Sequence, residues 1–325
     1  DIGLVKNKLR ISADYFVKHN KNMLTPLQTP ATFGISSPRV NNGKLKSWGW
    51  ELEASYRDKI GKDFTYNIGF NIFDNQNELI SYAGRKVITP GLVSILEGYP
   101  LNSIWGYRTD GYFQTADEVT NAPFQNSRTG AGDVRYMDLD KSGRISPGSG
   151  TPEDHGDLVY LGTNQPRYQF GTTGGASWKG FDFSFFIQGV AKRRFYSTVD
   201  AIAPFVVVTS MPLSIHMDHW TPENPNAMFP RPYRASDHNY LASDKWLLNG
   251  RYFRLKNIQF GYTLPKAFTE RIHLRGVRLF FSGQDIFTQT GMGVFNKIMN
   301  PESAQGAGAD YPFFSTASFG LNVSF

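Results

Sequence analysis

Cysteine is missing from this chain. Its absence excludes disulfides, cysteine-ligated zinc and a thiol nucleophile. Also missing is any apolar run close to the ~18 residues that a transmembrane helix needs. Neither a nucleotide-binding glycine loop nor an HExxH pair is present, and there is no nucleophile elbow and no Ser-His-Asp ordering. Those gaps argue against an esterase or a protease. The net charge of +6 carries no known nucleic-acid motif, and its densest cluster is only Lys192-Arg193-Arg194. The basic residues are otherwise spread out, as on solvated loops, so no nucleic-acid partner is expected.

What the chain does have is aromatics, 26 Phe, 16 Tyr and 6 Trp, together with 32 Gly. Many of them recur with period two, the signature of a strand with one apolar and one polar face. The end of the chain is the clearest case. Phe319, Leu321, Val323 and Phe325 alternate with Ser318, Gly320, Asn322 and Ser324. Seven further segments repeat the pattern, represented by Leu9–Val17, Trp48–Tyr56, Phe64–Ile72, Tyr168–Trp178, Phe181–Ile187, Ile258–Tyr262 and Val277–Phe281. Eight strands are therefore predicted, each near the ~9–11 residues that cross a bilayer at a tilt. A mean hydropathy of −0.38 does not oppose this, because only alternate residues of a barrel strand face lipid.

Connection lengths give a second signal. The turns at 58–63, 179–180 and 264–276 are short, whereas about 18–44, 79–166, 194–250 and 288–312 are long. Strict alternation of short and long is the pattern of a bacterial barrel, with periplasmic turns at one rim and extracellular loops at the other. Tyr56, Phe64, Trp178, Phe181, Tyr262 and Phe325 collect at the short-turn end, as an interfacial aromatic girdle would. Two stacked soluble sheets would not place Glu, Asp and Arg at mid-strand on the opposite faces. The expected fold is all-β, a transmembrane antiparallel β-barrel. An eight-stranded barrel is filled by its own side chains. These inner faces are instead rich in Gly, Ser, Asn and Thr, the loops are large, and no signal peptide precedes Asp1. Residues 1–325 are thus read as the carboxy-terminal segment of a larger barrel domain, with Phe325 as a terminal signal for the barrel assembly machinery.

Several segments resemble, in order, the carboxy-terminal third of SusC/RagA-type TonB-dependent transporters of the Bacteroidota. They include Asp1-Ile2-Gly3-Leu4, Gly130-Ala131-Gly132-Asp133-Val134-Arg135-Tyr136, Leu161-Gly162-Thr163-Asn164-Gln165-Pro166-Arg167-Tyr168 and His219-Trp220-Thr221-Pro222-Glu223-Asn224-Pro225. Tyr252-Phe253-Arg254-Leu255-Lys256-Asn257, Gly261-Tyr262-Thr263-Leu264-Pro265 and Ser282-Gly283-Gln284-Asp285-Ile286-Phe287 complete the set. The resemblance implies a 22-stranded plugged barrel in the outer membrane of a Gram-negative bacterium, this chain supplying roughly the last eight strands. It further implies import of an oligomeric nutrient, glycan or peptide, energised by TonB-ExbB-ExbD through a plug and covered by a SusD-like lipoprotein, with transporter–lipoprotein pairs able to dimerise. A passive porin and a surface adhesin use the same wall and are the alternatives.

Within the long loops, Asp138-x-Asp140-x-Ser142-Gly143-Arg144 matches the first half of an EF-hand loop. Alternate carboxylates wrap a hard cation, Ca2+ or Mg2+, and the glycine allows the sharp turn. Arg144 offers its carbonyl. The twelfth position is Ser149, so the last carboxylate must come from Glu153, Asp154 or Asp157, or else the segment is a plain capped turn. Trp105, Tyr107, Tyr112 and Phe113 offer rings for stacking on sugar or for contact with the lid; the competing reading is packing inside a loop long enough to need its own core. His216-x-Asp218-His219 lacks further ligands and reads as packing in a short loop helix. Glu51, Glu53, Asp14 and Arg10 read as charges of the lumen wall.

Overall fold

The computed structural model describes the chain apart from residues 31, 33, 35, 85, 92, 197–201, 207–210 and 303–313. Phe313, the first residue of the terminal alternation, lies outside the described residues. Nine strands form one antiparallel meander: β1 Ile2–Leu4, β2 Leu9–Pro26, β3 Arg39–Ile60, β4 Phe64–Ser81, β5 Arg167–Trp178, β6 Phe181–Lys192, β7 Tyr252–Thr263, β8 Gly276–Thr290 and β9 Thr316–Ser324. The sheet runs from β1 to β9 in chain order without closing back on itself.

Cross-strand register keeps the two faces separate. Ala13 pairs with Leu52, Leu52 with Ile72, Ile72 with Phe170, Phe183 with Phe260, Phe260 with Phe281 and Phe281 with Phe319. This apolar face is open: Tyr15, Ile68, Phe260, Leu279 and Phe319 are all exposed, Phe319 by 87%. A contiguous exposed apolar surface of this size is stable only against another apolar medium, and the alternation makes that medium lipid. Aromatic pairs along it reinforce the pairing, with ring centroids 4.4 Å apart for Phe181 and Tyr262 and 4.7 Å for Phe183 and Phe260.

Turn chemistry fixes the short rim. Lys179 and Gly180 both take positive φ, 46° and 89°. Two such central residues make the mirror-image turn whose twist suits a two-residue hairpin. Trp178 and Phe181 flank it, and the Lys179 ammonium lies 5.5 Å from the Trp178 ring centre.

The expected strands need two corrections. Ile2–Leu4, outside the eight expected strands, is a ninth strand, joined to β2 through the tight turn at 5–8. The first long connection is only 27–38, because β2 and β3 continue well past the expected ends. β3 has 22 residues, which at ~3.3 Å each is longer than any bilayer. Its outer part, with Asn41, Asn42, Lys44 and Lys46, is wet on both faces, so pairing persists there after the apolar alternation has ended.

The remaining long connections fold into a cap with cores of its own. Residues 82–166 carry a three-stranded sheet of Val93–Ser94, Ser103–Gly106 and Val159–Thr163, a two-stranded ribbon of Thr109–Tyr112 with Val134–Tyr136, and a one-turn helix α1, Ala116–Thr120, capped by the Thr115 hydroxyl. One cluster joins Trp105, Tyr107, Tyr112, Val134, Tyr136 and Leu158 with Trp220 of the next loop. A second joins Ile215, Phe229, Tyr240, Trp246 and Leu248 with Met292, Phe295 and Met299 of the last. Three loops therefore share two cores.

Candidate functional site

The inner face of the wall is polar and made of small residues. Thr65 and Ser177 hydroxyls lie 2.5 Å apart, and Gly69, Gly171 and Gly175 leave room for the side chains of Thr173, Asn71 and Asn67. Asp14 stands opposite Glu51, and Ser12 opposite Glu53. On β6 and β8, Asp182 and Arg278 form a two-pronged ion pair, Nε to Oδ1 at 3.0 Å and Nη2 to Oδ2 at 2.6 Å. The strand between them presents Gly261, where a Cβ would sit 2.4 Å from both side chains. Only glycine lets the pair bridge across an intervening strand. Fork-on-fork geometry makes this one of the stronger classes of ion pair.

The cap is tied together at Asp133, which is wholly buried. Its carboxylate accepts from the Gly130 N–H at 2.8 Å, Tyr233 Oη at 3.0 Å and Asn239 Nδ2 at 2.9 Å, and faces His238 Nε2 at 3.1 Å. His238 Nδ1 lies 2.6 Å from Ser236 Oγ. A Ser–His–Asp chain that the linear order did not show thus exists in space. Its carboxylate is saturated with donors from two loops, so its work is to join residues 130–133 to 231–239. Lys245 is a second tie: its ammonium donates to the Met228 carbonyl at 3.1 Å and lies 4.4 Å from the Tyr112 ring centre. Burial pushes its pKa from 10.5 down to about 8.

The four aromatics considered for ligand contact are inside this cap. Trp105, Tyr107, Tyr112 and Phe113 are exposed by 3%, 6%, 8% and 1%. Trp105 packs edge-on against Tyr99 at 5.2 Å, Tyr107 packs on Tyr136 at 5.6 Å, and the Tyr112 hydroxyl donates to the Met228 carbonyl at 2.8 Å. The contact reading needed open ring faces; burial favours the packing reading instead, the rings being covered by their own loop and by residues 220–245 of the next. Phe325 ends the chain one residue beyond β9 and is exposed by 82%.

The acidic loop does converge. Carboxylate oxygens of Asp138, Asp140 and Asp157 lie within 4.8 Å of one another, and this is the one cluster of three metal-capable groups among the described residues. Asp157 is buried and accepts from the Leu139 and Ser146 N–H groups at 2.6 and 2.8 Å. Asp138 accepts from the Ser142 and Gly143 N–H groups at 3.1 and 2.9 Å. Ser142 Oγ donates to the Arg144 carbonyl at 3.0 Å, and hydrogen bonds from Ser142 hold Asp140 below the usual carboxylate range. Gly143 takes φ 81°, as the sharp turn requires. Three carboxylates with a carbonyl nearby are hard oxygen donors of the kind that Ca2+ and Mg2+ take. Asp154 is not part of it, being engaged with the Ser149 N–H at 2.8 Å. His216, Asp218 and His219 do not converge: His216 Nδ1 accepts from Leu213 N–H, its ring packs on Phe229, and Asp218 caps Asn224 and Met228.

No family model matches the chain. TonB-dependent receptor P3 of Formosa agariphila is 28% identical over 345 residues, covering 100% of this chain and 33% of its own length. TonB-dependent receptor SusC of Bacteroides thetaiotaomicron is 23% identical over 342 residues, covering 100% of this chain and 31% of its own. The RagAB peptide importer in its open-open state superposes with a TM-score of 0.73 at 18% identity, over 99% of this chain and 33% of that one. In sequence the chain is thus similar to TonB-dependent receptors, SusC among them, and in fold it is similar to the RagAB importer. It spans about a third of the length of the curated relatives that it matches. The sheet is accordingly a section of barrel wall, with the apolar face outward, the Asp182–Arg278 face inward, and the cap at the long-loop rim. The relatives are receptors by name, and none is named as an enzyme.

Proposed function

We propose that this chain is the carboxy-terminal wall and loop cap of a TonB-dependent importer in the outer membrane of a Gram-negative bacterium, which takes in an oligomeric nutrient. The observation that carries the reading is the similarity to TonB-dependent receptors across the whole chain, joined to a wall whose polar face suits a hydrated lumen. A plug, a TonB-ExbB-ExbD motor and a SusD-like lipoprotein lid belong to the same reading, as does insertion by the barrel assembly machinery through Phe325, and a dimer of transporter–lipoprotein pairs is compatible with it. Peptide is favoured by the likeness to the RagAB peptide importer, and glycan is the other class that the sequence resemblance implies. The cap, whose three loops share two cores, presents one rigid surface for lid and substrate. Within it, Asp138, Asp140 and Asp157, with the Arg144 carbonyl, would hold a calcium or magnesium ion that fastens the 138–157 turn.

The test is uptake by a deletion strain. Growth on a defined peptide or glycan mixture as sole source should be lost, and should return with the intact gene but not when TonB is also absent. Restoration without TonB would instead support a passive porin. Unchanged growth on every mixture, with loss of surface adhesion, would support a scaffold.

A further inference from the structure

The basic triplet Lys192-Arg193-Arg194 stands where the wall meets the cap. β5 begins at Arg167, which pairs with Lys192 of β6, whereas its other neighbour β4 runs on to Ser81. In the space that β5 leaves, the turn at 98–99 takes over the pairing. Leu79 N–H donates to the Tyr99 carbonyl at 3.0 Å, and Gly98 N–H to the Leu79 carbonyl at 2.9 Å. On the other side, Arg194 donates to the Leu161 carbonyl of the cap strand Val159–Thr163 at 2.9 Å. Two adjoining cavities, of about 470 and 480 Å3, are left at this junction, and both are lined by Arg108, Lys192, Arg193 and Arg194. Each has the size of an ordinary ligand pocket.

Register carries the inner face of the wall into this junction. Lys192 is in step with Asp182 and Val190, and Asn77 with Asn71. Trp48, Gln76 and Glu78 reach the first cavity from the other face, as an interruption of the sheet allows. The cations lining the two cavities are Arg108, Arg167, Lys192, Arg193, Arg194 and Arg251; the carboxylates are Glu78 and Asp244. Arg167 is bound to the buried Asp74, Nη2 to Oδ2 at 2.6 Å. Arg108 reaches Asp244 at 3.4 Å, and Glu78 stands opposite Lys46. Arg193 is buried and donates to the Pro301 carbonyl at 2.5 Å. Lys192, Arg194 and Arg251 are exposed, and both lining carboxylates face other cations. Like charges gathered in one basin repel, and an anion between them removes that repulsion. A basin of one sign also concentrates anions from solution. Trp48 and Tyr160, both half-buried, add ring faces to the first cavity, and Gln76, the cross-strand partner of Trp48, adds an amide.

We propose that this junction, through Lys192, Arg194 and Arg251, binds the acidic groups, carboxylate or sulfate, of an oligosaccharide on its way from the cap into the lumen. The inference deepens the import reading and rests on it. Guanidinium meets a planar pair of anionic oxygens with two parallel hydrogen bonds. Ring faces pack on the C–H faces of sugars, and a few placed polar groups fix the orientation. An acidic peptide would use the cations alone, so it supplies the contrast that separates the two ligands.

The full-length protein, purified in detergent, is titrated in a calorimeter with oligogalacturonate, sulfated oligogalactose, neutral oligogalactose and oligoglutamate of equal length. At least one of the two acidic sugars should bind about tenfold or more tighter than both the neutral sugar and the peptide, the scale expected for charge-assisted contacts. The preference should shrink as salt rises. Lys192→Gln with Arg251→Gln should remove it, and Lys192→Arg with Arg251→Lys should keep it. Lys62→Gln with Lys266→Gln, at the opposite rim, should change nothing. Binding of neither acidic sugar, equal binding of the neutral one, or a preference that survives the glutamine pair would each overturn the proposal. Oligoglutamate binding as tightly as the acidic sugars would assign the site to peptide and overturn it too. So would a loss in the charge-conserving exchange equal to that in the glutamine pair, which would assign these residues to packing. Unchanged strand content and melting temperature establish that the variants fold. If a strain lacking the gene grows normally on every peptide and glycan mixture, the import reading itself fails; if growth needs the gene and TonB but the glutamine pair binds acidic sugar normally, only this inference does.

Discussion

Replacing Trp246 with alanine removes the largest wholly buried side chain of the cap. Its ring packs on Tyr240 at 5.2 Å and on Phe229 at 6.0 Å, and its Nε1–H donates to the Asn239 carbonyl at 3.0 Å. Truncating a buried tryptophan costs about 3–5 kcal/mol in lost transfer energy and cavity. Leaving the Asn239 carbonyl without its donor adds about 1 kcal/mol. Phe281→Ala on the wall is the matched contrast. Phe281 faces outward and meets Phe319 at 5.2 Å. Lipid tails are as apolar as the side chain removed and fill the space, so only the aromatic pair is lost, about 0.5–1.5 kcal/mol. Hydrogen exchange read segment by segment separates the two. Trp246→Ala should lower the opening free energy of residues 229–248 by about 4 kcal/mol, roughly a thousandfold faster exchange, while β6 to β8 keep their protection. Undiminished protection of the cap in that variant, or an equal cost from Phe281→Ala, would refute the division into a packed cap and a lipid-backed wall.

Asp133→Ala strips a buried acceptor from Gly130, Tyr233, His238 and Asn239, and should destabilise the cap by about 3–5 kcal/mol; a melting curve of the loops matching that of the parent protein would contradict it. Lys245, held at about 8 by burial against 10.5 when exposed, makes the unfolded cap bind more protons between those values, so its contribution to stability rises with pH across that window. Lys245→Met should flatten the rise in cap protection between pH 8 and 10, and identical pH profiles would exclude the effect. Gly261→Val should force Asp182 and Arg278 apart; each would then lose its partner, seen as a lower melting temperature that Asp182→Asn with Arg278→Gln in the same background does not lower further. Calcium at a hundred times its dissociation constant should stabilise the cap by about 2.7 kcal/mol, and Asp157→Asn should abolish that increment; the same increment in both proteins would exclude the site at Asp138, Asp140 and Asp157.

How much of this was legible beforehand follows from what each signal reports. Alternation placed Trp48, Phe70, Phe183 and Leu321 on one face because lipid contact has the same period as the strand. It could not reveal Ile2–Leu4, which is too short to show a period, nor the outer parts of β2 and β3, where both faces are wet. Tyr168, with φ 51°, and the register shift at Phe186 and Ile187 are local breaks that keep the apolar pattern on either side, so they too were silent. The loops carry no period at all. Trp105 and Phe113 look the same in sequence whether buried or open, and only the meeting of three loops decides between them. Asp138 and Asp140 were visible from spacing. Asp157 was one of three equal choices until the chain returned it to the same turn.

The outward direction of alternate side chains is tested most directly by labelling. This chain contributes no cysteine of its own, so single cysteines from Ser318 to Val323 on β9, placed in a full-length protein cleared of any others, can carry a nitroxide. In bilayers, labels at Phe319, Leu321 and Val323 should be reached by oxygen dissolved in lipid, and those at Ser318, Gly320 and Asn322 by a water-soluble nickel complex. A profile without this two-residue period, or with the two faces exchanged, would contradict the wall described here.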